Sequence, residues 1–157
     1  MKTLRVYVYT SVIGGCEDEE FAEDSLRLIE AAKSGRIMLL VSAIVAGEVA
    51  SGPPAVRAVL EGLPSGAVED VPLTEEIIAL RDAYLKAGIV RARASNDAAH
   101  VAAATVARAD AIVSWNFRHI VRLDKIKAYN QVNLLNGYGV LTILSPREVQ
   151  TDEPDED

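Results

Sequence analysis

Short apolar runs set between longer helical segments constrain this chain more than any other feature. LRVYVY (4–9), IMLLV (37–41) and AIVS (111–114) are predominantly apolar instead of alternating. A strand with one face in water alternates, whereas one buried on both faces stays apolar, as in a parallel sheet covered by helices. Ala67–Val71 and Val140–Leu144 are further strand candidates. Between the runs lie helical patterns. One apolar face is built from Phe21, Leu26, Leu28, Ile29 and Ala32, with Gly35 as its stop. Ser42 caps the short AIVAGEVA, and Ala55–Leu63 forms another helix. Thr74 caps a helix reaching about Lys86, and Ser95 caps a central helix over about Asn96–Ala109 with Asp97 in its first turn. One or two short helices occupy Phe117–Leu135, and Asn136-Gly137-Tyr138-Gly139 is a turn. Strands alternating with helices predict one three-layer α/β domain over residues 1–149, with a central parallel sheet of four or five strands flanked by helices.

Composition narrows the class. The 157 residues suffice for one sizeable core, and 50% of them are apolar. Cys16 is the single cysteine, so no internal disulfide forms, which fits a reducing compartment. The uncharged apolar runs Val6–Cys16 and Ile37–Gly47 are 11 residues long, short of the roughly 18 a membrane span needs. The expected setting is cytoplasmic, away from membranes.

The formal charge of −7 is unevenly spread. DEPDED at the end supplies five acids, and without it the chain carries −2. Residues 150–157 read as an acidic, disordered tail. Glu17–Glu30 holds seven acids against Arg27, whereas Lys86–Lys127 holds eight Lys and Arg against Asp97, Asp110 and Asp124. A local basic potential permits a polyanionic partner despite an acidic total; solvated helix faces are the competing explanation.

In open α/β sheets, ligands bind beyond the carboxyl ends of the strands. Four stretches reach that edge. The first strand ends at Tyr9-Thr10-Ser11, Glu48 follows the second by one short helix, Asp97 heads the central helix, and Asn116 lies just past AIVS. Glu48 is the only acid between Glu30 and Glu61, and either faces water or belongs to a site. Asp97 equally favours the helix dipole, by roughly 0.3–1 kcal/mol. Thr10 and Ser11 are also ordinary turn residues.

VYVYTSVIGG (6–15), SAIVAGEV (42–49), NDAAHVAAA (96–104), DAIVSWNFRHI (110–120) and the closing NQVNLLNGYGVLTILSPREV (130–149) together resemble the PIN domain of toxin–antitoxin ribonucleases, over nearly the whole chain. The resemblance implies carboxylates at the strand ends that bind Mg²⁺ or Mn²⁺ and activate water for RNA cleavage, a role suited to hard oxygen ligands. It assigns Glu48 and Asp97 as metal ligands. Tyr9 stands where an acid precedes Thr10-Ser11, and Asn116 where the wider family often has Asp. A neutral phenol supplies no charge to a hard cation; Asp18 or Glu17 would have to reach in from the following loop. Thr10, Ser11, Arg91, Arg93 and Arg118 become phosphate-contact candidates, and His100, three residues after Asp97, a packing or supporting residue more than a base. Trp115 reads as core or interface more than as a base-stacking platform. The implied partners are RNA, a cognate antitoxin and a second copy in a homodimer. Two functions follow: a metal-dependent endoribonuclease, or a catalytically weakened PIN-like protein that acts by binding RNA or a partner protein. A nucleotide binder is disfavoured, because no Gly-rich phosphate loop opens a helix.

Overall fold

In the computed structural model, residues 3–149 and Thr151 are described; apart from Thr151, the tail expected at 150–157 lies outside the described residues. Five strands, β1 (Leu4–Val8), β2 (Ile37–Ser42), β3 (Val68–Val71), β4 (Ala111–Val113) and β5 (Thr142–Leu144), form one all-parallel sheet in the order β3-β2-β1-β4-β5. The chain reverses its direction of travel across the sheet between β3 and β4, which flank opposite sides of the β2-β1 pair. That is the arrangement that opens a crevice at the carboxyl edge.

Seven α-helices among the described residues cover the sheet: α1 (Thr10–Gly15), α2 (Ala22–Lys33), α3 (Ala43–Ala50), α4 (Pro54–Glu61), α5 (Glu75–Lys86), α6 (Ser95–Val106) and α7 (Leu123–Leu135). Val6, Tyr7 and Val8 are all buried, as are Leu39, Leu40 and Val41, so the central strands meet apolar neighbours on both faces. Strand alternation sends Tyr7 toward α6 and Val6 and Val8 to the opposite face. Each such buried aliphatic side chain contributes about 1.5–3 kcal/mol of transfer free energy.

The α6 helix explains the run of small residues in AAHVAAAT. Every residue from Ala98 to Thr105 is buried, with α5, β2 and β4 packed around it. Alanines permit that close approach at no rotamer cost. Its one large polar member, His100, is fully buried. A second polar knot ties the helices together: the Tyr84 hydroxyl donates to Asn133 Oδ1, and Asn133 Nδ2 donates to Thr105 Oγ1 over 3.3 Å.

Several boundaries depart from the sequence reading. Thr10–Gly15 is a helix rather than a strand end and a turn, and Tyr9 occupies its N-cap position. Ser95 does not cap α6; a 3₁₀ turn over Ala92–Ala94 runs straight into the helix, so Ala94 holds the cap position and Ser95 opens the first turn. The segment after β4 makes one long helix, α7, preceded by a loop. Ser42 and Thr74 do cap: their hydroxyls accept from the N–H of Val45 and Ile77 at 3.2 and 3.3 Å.

Candidate active site

The carboxyl edge brings Tyr9, Asp97, Asn116 and His119 into one hydrogen-bonded group and Glu48 and His100 into another, with the rings of Tyr9 and His100 in contact between them. The Tyr9 hydroxyl donates to Asp97 Oδ1 over 2.5 Å, and the ring of Tyr9 meets that of His100 edge-on at 4.4 Å. Burial first, and then the hydrogen bond and charge of Asp97, push the Tyr9 phenol above its ordinary range, with the Asn116 amide opposing. The group therefore stays protonated and acts as a donor. Asp97 Oδ2 is met by His119 Nδ1 at 2.8 Å. Both oxygens of this carboxylate thus receive a hydrogen-bond donor.

Glu48 belongs to the second group. Its Oε1 lies 2.6 Å from His100 Nε2, while His100 Nδ1 lies 2.8 Å from the Tyr7 hydroxyl, itself 2.7 Å from Ser42 Oγ. The bond to His100 lowers the Glu48 pKa, partial burial opposes it, and the charge of His100 assists. The Thr10 hydroxyl also favours the Glu48 carboxylate, but stops short of a formed bond; its Oγ1 is buried without a partner among the described residues.

The remaining candidates divide between support and surface. Ser11 Oγ accepts from the Trp115 N–H over 3.0 Å, pinning the start of α1 to the segment after β4. Asn116 Oδ1 accepts from the N–H groups of Arg118 and His119 at 3.1 and 2.9 Å, which turns that segment and aims His119 at Asp97. Trp115 is core, stacked on Phe21 at 4.3 Å with its Nε1 donating to Ser25 Oγ. Asp18 and Glu17 do not complete the acid cluster: both are exposed, and Asp18 Oδ1 accepts from the Glu20 N–H in its own turn.

Beside Asp97 opens a cleft of about 390 Å³ lined by Arg91, Arg93, Arg118, His119, Arg122 and Lys125, with no acid among its lining residues. Arg91, Arg93 and Arg118, separated in sequence, converge here. Arg122 Nε is held by Asp124 at 2.8 Å, and the Lys125 ammonium donates to the Ile89 carbonyl. His119 is the functional candidate that the sequence reading does not single out. It lies three residues past Asn116 in the same post-strand segment, which is the available signal.

A divalent cation does not fit these donors as they stand. Among the described residues no three His, Cys, Asp or Glu are grouped to hold a metal. Both Asp97 oxygens already accept a hydrogen bond, Glu48 Oε1 faces a buried imidazole, and the position beside them that would add charge is the neutral phenol of Tyr9.

No family model matches the chain's sequence, and no curated protein does either. Solved structures do match in three dimensions. VapBC2 from Rickettsia felis, bound to a DNA fragment from its promoter, aligns with a TM-score of 0.60 at 12% identity, covering 90% of this chain and 98% of its own. FitAcB from Neisseria gonorrhoeae aligns with a TM-score of 0.54 at 16% identity, covering 92% and 99%. Both are PIN-domain toxin–antitoxin structures, and the all-parallel sheet flanked by helices found here is consistent with their fold. The chain therefore has the PIN-like fold.

Proposed function

We propose that this protein is an RNA-cleaving PIN-type protein of the toxin–antitoxin kind, which grips its substrate by the phosphates in the cationic cleft beside Asp97. The observation that carries this reading is the convergence of Arg91, Arg93 and Arg118 with His119, Arg122 and Lys125 on one cavity that no acid lines. Phosphate contacts supply most sequence-independent affinity for a nucleic acid, and they position the backbone against a neighbouring reactive group. The toxin–antitoxin setting, an antitoxin partner and a homodimer rest on the fold shared with VapBC2 and FitAcB and on the sequence resemblance. Among the described residues, no helix is long and apolar enough to cross a membrane; a cytoplasmic setting is part of the same proposal.

A second reading is favoured by Tyr9. With its hydroxyl closing Asp97, the chain binds RNA or a partner protein and cleaves weakly. Mg²⁺- or Mn²⁺-dependent cleavage, with Glu48 and Asp97 as the ligands, would place the cation on carboxylates that already accept hydrogen bonds from Tyr9, His119 and His100.

Fluorescence anisotropy with a labelled single-stranded RNA tests the cleft. The expected result is salt-sensitive binding that Arg93→Ala combined with Arg118→Ala weakens at least about tenfold. Equal binding by this variant and the native chain would overturn the reading.

A further inference from the structure

His119 lines the cationic cleft, and Asp97, outside that lining, pairs with its imidazole. We infer that His119 Nε2 is the proton acceptor for attack of an RNA 2′-hydroxyl on the adjacent phosphodiester, with Asp97 orienting the imidazole, so that cleavage by this chain proceeds without a divalent cation. This inference rests on the cleft being an RNA site.

Geometry fixes the tautomer. A carboxylate only accepts, so the Nδ1–H of His119 donates to Asp97 Oδ2 at 2.8 Å, and the free lone pair of a neutral imidazole falls on Nε2. Among the described residues nothing engages Nε2, while His119 lines the cleft. The acid sits behind the ring: the His119 side chain is 29% exposed and that of Asp97 is 15%. Asp97 is itself held at its other oxygen by the Tyr9 hydroxyl. The backbone of His119 is clamped as well, its N–H donating to Asn116 Oδ1 and its carbonyl accepting from the Tyr129 hydroxyl at 2.9 Å. An imidazole oriented from behind by a carboxylate is the arrangement used by general bases in hydrolases, and here that carboxylate is partly buried.

The chemistry balances with water alone. Nε2 takes the 2′-hydroxyl proton as the O2′–P bond forms. The P–O5′ bond then breaks, and the leaving oxygen takes a proton from water. The hydroxide left behind is neutralised by the imidazolium proton, which restores the base. The products are a 2′,3′-cyclic phosphate and a 5′-hydroxyl, and no group is oxidised or reduced. Arg93 and Arg118 supply positive charge where the pentacoordinate phosphorus gains negative charge. Tyr9, an anomaly in a metal site, becomes the part that fixes Asp97. Asp97 is a positioning residue in this scheme.

The test uses protein purified through EDTA and two labelled single strands of the same mixed sequence, one RNA and one 2′-O-methyl RNA. The expected result in EDTA is cleavage of RNA to cyclic-phosphate ends, with the 2′-O-methyl strand bound equally well and left uncut. His119→Asn, which retains a donor toward Asp97, is expected to lower kcat by roughly 10²–10⁴-fold. Asp97→Asn is expected to lower kcat without raising KM, with Asp97→Glu restoring part of the loss. Cleavage that EDTA abolishes, that yields 5′-phosphate ends or that cuts the 2′-O-methyl strand would overturn the inference and leave the RNA reading intact. Binding without any cleavage, in EDTA or in Mn²⁺, would overturn it too. Failure of both strands to bind would overturn the cleft reading as well.

Discussion

Tyr9 Oη and Asp97 Oδ1 lie 2.5 Å apart, so the phenol that stands in place of an acid is bonded to the acid it faces. The pair exchanges a cation's charge for a hydrogen bond. The substitution Tyr9→Asp would add a third carboxylate to those of Glu48 and Asp97 around the crevice mouth, the three repelling one another unless a cation enters. The native chain is expected to show no rise in Tm with Mn²⁺. Tyr9→Asp is expected to be less stable than native without metal, and to gain about 2.7 kcal/mol when Mn²⁺ exceeds its Kd about a hundredfold. Thermal unfolding across a Mn²⁺ series checks this, with Tyr9→Phe as the control that loses about 1–2 kcal/mol and gains no metal response.

Glu48 predicts an acid limb to stability. Its pKa is lowered in the folded state, chiefly by the hydrogen bond to His100, below the 4.5 of an ordinary glutamate. A depressed carboxylate contributes stability that is fully present above its unfolded pKa and lost as pH falls through the folded one. Urea unfolding from about pH 7 down to about pH 3 is therefore expected to show a loss that begins near the ordinary glutamate value of 4.5. Glu48→Gln keeps an oxygen toward His100 but cannot titrate, and is expected to show a shallower loss over that window. An unchanged slope would remove Glu48 from the acid response.

His100 itself is expected to be costly to remove. It is fully buried and partners both Tyr7 and Glu48. His100→Ala leaves a cavity and unpaired polar groups together, a loss of about 3–5 kcal/mol. Chemical denaturation measures it directly, and a loss below about 1 kcal/mol would mean that water replaces the ring.

The apolar runs make the parallel sheet legible, because continuous burial of Val6–Val8 and Leu39–Val41 leaves no other strand environment. Glu48 and Asp97 are legible for the same reason: both follow from where strands end. The helix over Thr10–Gly15 is hidden, because Gly14-Gly15 and β-branched Val12 and Ile13 carry low helix propensity and tertiary packing outweighs it. His119 is hidden because its role depends on a turn made by Asn116, two hydrogen bonds that no spacing rule announces. The destination of the Tyr9 hydroxyl is likewise a tertiary fact, as the two residues that meet there are 88 positions apart.

The two adjacent glycines of α1 are expected to respond oppositely. A Cβ on Gly15 would stand 2.5 Å from Ser25 Oγ and 3.0 Å from Trp115 Nε1, inside the bond that joins those two side chains. One on Gly14 meets nothing within 4 Å. Gly15→Ala should therefore cost about 1–3 kcal/mol through overpacking, while Gly14→Ala should gain about 0.5–1 kcal/mol from helix propensity. Paired unfolding curves test the sign of each.

Salt dependence separates the cations of the cleft. Each phosphate contact on a single strand contributes about 0.7 to the slope of log K against log salt. Arg91, Arg93 and Arg118 have no side-chain partner among the described residues, so changing any one of them to Ala is expected to flatten the slope by close to that amount. Arg122 already pairs with Asp124, and Lys125 is held at the Ile89 carbonyl, so part of their charge is engaged before RNA arrives. Their removal is expected to flatten the slope less. Arg81, paired with Asp82 on α5 and outside the cleft lining, should leave it unchanged. The ranking matters more than any single value: an Arg81→Ala effect as large as that of Arg93→Ala would mean that RNA reads the overall charge of the protein rather than the cleft that converges on His119.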